Sequence, residues 1–374
     1  QALDCAHMAD AVPALSTAPW FEAEAVVGGA PEVTHEVSAL SDDVTGVLKQ
    51  LLRKLRNRVA VGEDELLRRE DFRQVAQCLG ASFDVGSKSF KLQEQLRMVL
   101  ISHFQRRWGT STRHDWTEEE LARGKDRPVG NRPNSAAVLD LSAIGVPYFN
   151  ASLVPPLAGE EPSYIVTQHP LASTVDDFWA MVGAMAPPMI IMLNMREAAS
   201  ESEEYPPYWE STNGGSGVNR YALRVCNEVR VPVASCTMRE LCLTFQDRPL
   251  QLLHLAVDNW ADQKTPDRET FLALLRLVDR ILRQAKPGPH QIVVHCAGGI
   301  GRSAVFVAVD SMSRALAAGL KEVSPDRTMA HLRPRRANML QSPDQYVFVH
   351  ETLCLAIEAQ AAADAADTDD PQNT

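Results

Sequence analysis

Ile292-Val293-Val294-His295-Cys296-Ala297-Gly298-Gly299-Ile300-Gly301-Arg302-Ser303 is the stretch on which the reading of this chain turns. Its apolar run has the make-up of a buried strand, its three glycines mark a tight loop, and a helix begins near Arg302. Glycine lets several backbone N–H groups turn inward, and the start of a helix adds its positive end. The segment therefore makes an anion site, with Ala297, Gly298, Gly299, Ile300 and Gly301 as the cradle. A cysteine at the head of such a loop feels that field, which favours its thiolate over the thiol. Arg302, separated from Cys296 by five residues, can return over the loop and grip two oxygens of a tetrahedral oxyanion.

Outward from this loop, short β-type segments alternate with helical ones. Strands are expected at Val138 to Leu141, Tyr148 to Leu153, Tyr164 to Thr167, Met189 to Leu193, Tyr221 to Val233, Leu241 to Phe245, Leu252 to Leu255 and Ile292 to Val294. Helices are expected at Thr174 to Met185, Asp267 to Gln284, Arg302 to Ala318 and Ser342 to about Ala363. The mixture predicts an α/β (α+β) domain around a central, largely buried sheet. Ahead of it, Val44, Val47, Leu48, Leu51, Leu52 and Leu55 recur at helical spacing after a Ser41-Asp42-Asp43 start signal. Further helices are expected over Asp64 to Leu79 and Leu92 to Trp108, with a capping box from Thr117 to Glu120. The expected organisation is an arm and helical extension over 1–89, a domain over 90–362 and a frayed tail over 363–374.

Two further constellations carry chemistry. Asn259-Trp260-Ala261-Asp262 lies upstream, with Asp262 34 residues before Cys296, and offers a carboxylic acid. Asn338-Met339-Leu340-Gln341-Ser342-Pro343-Asp344-Gln345-Tyr346 has the signs of a helix start: Ser342 as N-cap, Pro343 at the first position and Gln345 closing a capping box.

HCAGGIGRSA, residues 295–304, closely resembles the HCSAGxGRTG signature of the cysteine-dependent protein tyrosine phosphatases. WAD resembles that family's WPD loop with Ala261 for proline, and Gln341 to Tyr346 resembles its QTxxQY loop. Tyr148 to Leu153 is similar to DYINASxI, and Tyr164 to Trp179 to YIATQGPxxxTxxDFW, which points to the tyrosine-specific branch. The resemblance implies a highly twisted mixed sheet flanked by helices and hydrolysis of phosphotyrosine through a phosphocysteine intermediate, a signalling dephosphorylation without cofactor or metal. It assigns Cys296 as nucleophile, Arg302 as phosphate clamp and Asp262 as general acid and base. Ser303 steadies the sulfur, Gln341 orients the attacking water, Gln345 sits beside it, and His295 stabilises the loop and thiolate.

The resemblance breaks at Lys125-Asp126-Arg127-Pro128, where the family's KNRY supplies a tyrosine that stacks on the phosphotyrosine ring. Pro128 stands at that position, and Gly130 where an Asp usually holds the substrate backbone. Proline has no extended π surface, so ring recognition weakens. Beside a tyrosine phosphatase stand two alternatives: dual or phosphoinositide specificity with the same chemistry, supported by Pro128, and a phosphotyrosine-binding module without turnover, supported by Ala261.

Composition narrows the setting. The 374 residues, 45% hydrophobic and 23% charged, suit a soluble globular protein, and a formal charge of −11 argues against a nucleic-acid binder. The seven irregularly spaced cysteines are expected as reduced thiols in the cytoplasm. The apolar stretch from Phe178 to Leu193 falls short of the roughly 20 residues of a membrane span. The expected partners are phosphotyrosine-containing proteins met by a monomer. The basic run Lys49, Arg53, Lys54, Arg56 and Arg58 adds a contact with an anionic surface, against the simpler reading of a solvated helix face.

Overall fold

The structure, a computed structural model, describes residues 41–62, 71, 74–75, 78–79, 81, 83–109, 124–127, 133, 137–158, 162–195, 205–285, 290–320, 323–353 and 355. Eight strands form one mixed sheet: β1 (Ala151–Val154), β2 (Ser163–Gln168), β3 (Met189–Met192), β4 (Thr212–Gly214), β5 (Tyr221–Val231), β6 (Cys236–Phe245), β7 (Arg248–Val257) and β8 (Gln291–Cys296). Their spatial order is β1-β2-β8-β3-β7-β6-β5-β4. β2, β8, β3 and β7 are parallel, and the flanks pair antiparallel. A parallel centre is covered on both faces, which is why Met189-Ile190-Ile191-Met192 and Ile292-Val293-Val294 read as unbroken apolar runs.

Side chains alternate across β8. Ile292, Val294 and Cys296 join an apolar layer with α1 (Ser41–Val61), α2 (Lys88–Trp108), α4 (Arg268–Gln284), α5 (Arg302–Ala317), α6 (Pro325–Leu332) and α7, over 343–353. Val293 faces the opposite layer, where Phe178, Trp179 and Met181 of α3 (Val175–Met185) are fully buried. Each such buried side chain contributes about 1.5–3 kcal/mol. Leu48, Leu51, Leu52 and Leu55 of α1 pack into the same cluster as the sheet. α2 is tied further in: His103 Nε2 (3.0 Å), Trp108 Nε1 (2.9 Å) and Tyr346 OH (3.1 Å) converge on the buried carboxylate of Asp326. Among the described residues no helix is long and apolar enough to cross a membrane.

Several expectations change. Val138 to Leu141 forms isolated bridges rather than a strand, because Ser142–Ile144 turns at Gly145 (φ 75°) directly after it. β6 and β7 run longer than expected, through a tight turn at Gln246 and Asp247, both left-handed. No Asn or Gly announces that turn, so the hairpin signal was missing. β4 and α6 are additional; α6 opens on a Ser324 N-cap followed by Pro325.

Seven free thiols are also not what the fold contains. Cys226, at the register shift between Val225 and Asn227, is bridged to Cys242 on the neighbouring strand. Of the helix expected over Asp64 to Leu79, residues 71, 74, 75, 78 and 79 are helical. The rest of that segment, the arm over 1–40, the box from Thr117 to Glu120, Pro128, Gly130 and the tail beyond 355 lie outside the described residues.

Candidate active site

β8 ends at Cys296, α5 begins at Arg302, and the intervening loop lies at the carboxyl end of the parallel strands. Gly299 adopts φ +72°, and a Cβ there would lie 2.4 Å from the Thr167 carbonyl oxygen, so only glycine fits. Its N–H points at Cys296 Sγ, 3.3 Å away. Burial works against a charged sulfur. The Arg302 guanidinium, the Ser303 hydroxyl and N–H, and the Gly299 N–H outweigh it and hold the thiol below its ordinary 9.0. Burial alone pushes Cys78 up to about 12, and burial with the Asp258 carboxylate, against the opposing Arg230, pushes Cys236 up to about 12. Inactivation by iodoacetate is therefore expected to titrate with a midpoint below 9.0, at Cys296 and not at those two. A midpoint at or above 9.0, read by peptide mapping against pH, would show that the loop does not activate this sulfur.

The inward turn of the loop amides has a cause that the sequence did not display. Arg336, fully buried, donates through Nε to the Gly299 carbonyl (2.9 Å) and through a terminal nitrogen to the Gly298 carbonyl (3.0 Å). Pulling those oxygens outward leaves the N–H groups facing the anion site. Arg336 is itself held by Asn150 Oδ1 at 2.6 Å, and Asn150 donates to Asp126, as Tyr148 does at 2.6 Å. Burial lowers the Arg336 pKa to about 10, so it is charged at neutral pH.

Behind the loop, His295 Nε2 meets Tyr208 OH at 2.6 Å, and the same hydroxyl lies 2.9 Å from His254 Nε2. Burial first, then the neighbouring imidazoles of His169 and His254, hold His295 neutral. The His169 backbone N–H donates to the carbonyls of Cys296 (2.8 Å) and Ala297 (3.1 Å). Tyr208 and Arg336 escaped sequence reasoning altogether. His169 had one signal, since it stands where the YIATQGP pattern has glycine.

Asp262 and Arg302 meet directly. Arg302 is fully buried and donates to the Trp260 carbonyl (3.0 Å) and to Asp262 Oδ1 (3.0 Å), while the Asp262 side chain is 57% exposed. The WAD loop is shaped by its own bonds: Trp260 Nε1 reaches the Lys264 carbonyl at 2.8 Å, and Lys264 N–H reaches the Ala261 carbonyl at 3.2 Å. Asn259 and Gln263 are left-handed on either side. Asp267 caps α4 and Asp258 pairs with Arg230, so neither is committed to the loop.

The glutamine segment arrives from the other side. Leu340 N–H donates to the Ile300 carbonyl at 2.9 Å. A Cβ on Gly301 would lie 3.1 Å from Gln345 Nε2 and 3.2 Å from Gln341 Oε1, so both amides border the loop. Ser342 caps α7 as expected, but Gln345 does not close a capping box. Its Oε1 accepts from Gln341 N–H at 3.0 Å, and its buried Nε2 has no partner among the described residues. Lys125 to Arg127 are pinned beside the site: Arg127 donates to Gln168 Oε1 (3.0 Å) and to the His169 carbonyl (3.1 Å), with its guanidinium over Tyr205. Pro128, which takes the place of the family's ring-stacking tyrosine beside the substrate, is outside the described residues. Every other candidate borders the one loop.

The family model described as protein-tyrosine phosphatase matches residues 129–355. Human tyrosine-protein phosphatase non-receptor type 7 is 35% identical over 213 residues, covering 56% of this chain and 56% of that protein. Mouse tyrosine-protein phosphatase non-receptor type 5 is 34% identical over 211 residues, covering 56% of this chain and 37% of that protein. Arabidopsis thaliana protein-tyrosine-phosphatase PTP1 is 30% identical over 234 residues, covering 61% and 67%. The chain thus spans about half or less of the first relatives' length. A solved structure of PTPN18 in complex with HER2 phosphopeptides shares the fold, with a TM-score of 0.58 at 22% identity, over 70% of this chain and 91% of that one.

Proposed function

The chain belongs to the protein-tyrosine phosphatase family, and from that premise we propose that it hydrolyses phosphotyrosine in proteins through a cysteinyl-phosphate intermediate. The observation that carries the reading is a buried thiol held below its ordinary value, despite burial, at the head of a loop shaped for an anion. Cys296 Sγ attacks phosphorus in line as the phenolic oxygen leaves. Arg302 and the N–H groups of Ala297 through Gly301 hold the three equatorial oxygens.

The incoming dianion displaces Asp262 from Arg302; the freed carboxylate takes a proton from solvent, faces the leaving oxygen and passes that proton to it. In the second step Gln341, with Gln345 beside it, places a water and Asp262 takes its proton. The water oxygen bonds to phosphorus as the P–S bond breaks, inorganic phosphate forms, and the Ser303 hydroxyl steadies the departing thiolate. His295 stays neutral and holds the loop. All these side chains come from one chain, so a monomer suffices, and turnover requires Cys296 itself to stay unoxidised.

Asp262→Ala is expected to lower kcat on p-nitrophenyl phosphate about 10²–10⁴-fold with little change in KM. A rate equal to wild type would remove Asp262 from the acid role. A panel of phosphotyrosine peptide, phosphothreonine peptide and phosphoinositide, run with the wild-type chain, measures the specificity that Pro128 puts in question.

A further inference from the structure

Charge is divided unevenly in this chain. α1 carries five basic side chains against two acidic ones and α2 five against one, within a formal charge of −11. The fold compensates part of that excess. Lys54 and Arg58 pair with buried Asp71, and Arg97 pairs with Glu351. Lys49, Arg53 and Arg56 differ. All three are exposed, they follow at four- and three-residue spacing on one face of α1, and among the described residues none has a carboxylate partner. Like charges at that spacing repel, and nothing described in the fold offsets it.

These three cations, with Asn57 and Gln95, ring a groove of about 270 Å³ between α1 and α2, floored by Leu52 and Leu92. Arg56 spans it, donating to Gln95 Oε1 at 2.9 Å. We propose that this groove docks an acidic segment of a partner protein. Lys49, Arg53 and Arg56 meet its carboxylates or phosphates, and Leu52 and Leu92 receive an apolar side chain between them. A concave groove fits a ridge such as a helix or extended segment better than a membrane plane. A membrane-binding face would also offer large apolar side chains for insertion. Along α1 and α2 the exposed ones are Val61 and Met98, with no aromatic.

The test is fluorescence anisotropy of a labelled peptide of Glu and Leu at helical spacing, titrated with the full chain. The same peptide with Lys for Glu, and vesicles of phosphatidylserine and phosphatidylcholine, run beside it. The acidic peptide is expected to bind saturably and more weakly as salt is added. The combined variant Lys49→Glu, Arg53→Glu, Arg56→Glu is expected to lose about tenfold or more of that affinity, with melting temperature and turnover of p-nitrophenyl phosphate as in wild type. No binding, equal binding of the Lys peptide, undiminished binding by the variant, or capture by the vesicles in preference to the peptide would each overturn the proposal. Should the triple variant fail to fold, Arg53→Gln with Arg56→Gln serves the same comparison. Binding is read directly, so the result does not depend on the phosphatase reading.

Discussion

Cys296→Ser is expected to abolish turnover of p-nitrophenyl phosphate, by at least about 10⁴-fold, while shifting the melting temperature by no more than about 2 °C. The two side chains are close in size, so the buried packing of residue 296 survives the exchange. What is lost is the charge. The field of Arg302, Ser303 and the Gly299 N–H overcomes burial for a thiol whose ordinary value is 9.0. A serine hydroxyl ionises so much less readily that the same field leaves it neutral. The anion cradle is untouched, so the variant is expected to keep its affinity for a phosphotyrosine peptide, measured by calorimetry. Turnover within tenfold of wild type would take the nucleophile role from Cys296.

Arg302→Lys is expected to lower kcat about 10²–10³-fold, with a smaller change in KM. Lysine keeps the positive charge, so attraction of a dianion persists. It lacks the planar fork with which Arg302 holds the Trp260 carbonyl and Asp262 at once, each at 3.0 Å. Two consequences follow from that geometry: the equatorial oxygens lose their paired donors in the transition state, and the WAD loop loses its tether to α5. A buried ammonium with fewer partners is also costly, and the variant is expected to melt lower. A kcat loss below tenfold would show that point charge alone suffices, and that the fork is not what the reaction uses.

The sequence was most legible where function is written locally. The spacing from Cys296 to Arg302, the glycines between them and the helix start after them are neighbours in the chain, so their physics can be read without a fold. Asp262 and Gln341 were legible through the resemblance alone, because nothing in their own surroundings states which loop they approach. In the parallel centre, β3 and β8 announced themselves by unbroken apolar runs. β6 and β7 were under-read because the turn at Gln246 and Asp247 uses left-handed residues without glycine or asparagine.

Residue order by itself determined the chemistry on offer: an activated cysteine, a guanidinium to meet it, an acid upstream and a glutamine downstream. Only the tertiary structure decided what holds these in place. Arg336 draws back the Gly298 and Gly299 carbonyls from 37 residues or more away in the chain. Tyr208 bonds His295 across 87 residues, and Gln345 turns to Gln341 N–H instead of closing a cap. The bridge between Cys226 and Cys242 and the junction at Asp326 belong to the same class. The physical reason is common to them all. Helical and strand periods report which face of an element is buried, whereas a single long-range hydrogen bond or ion pair leaves no period in the sequence.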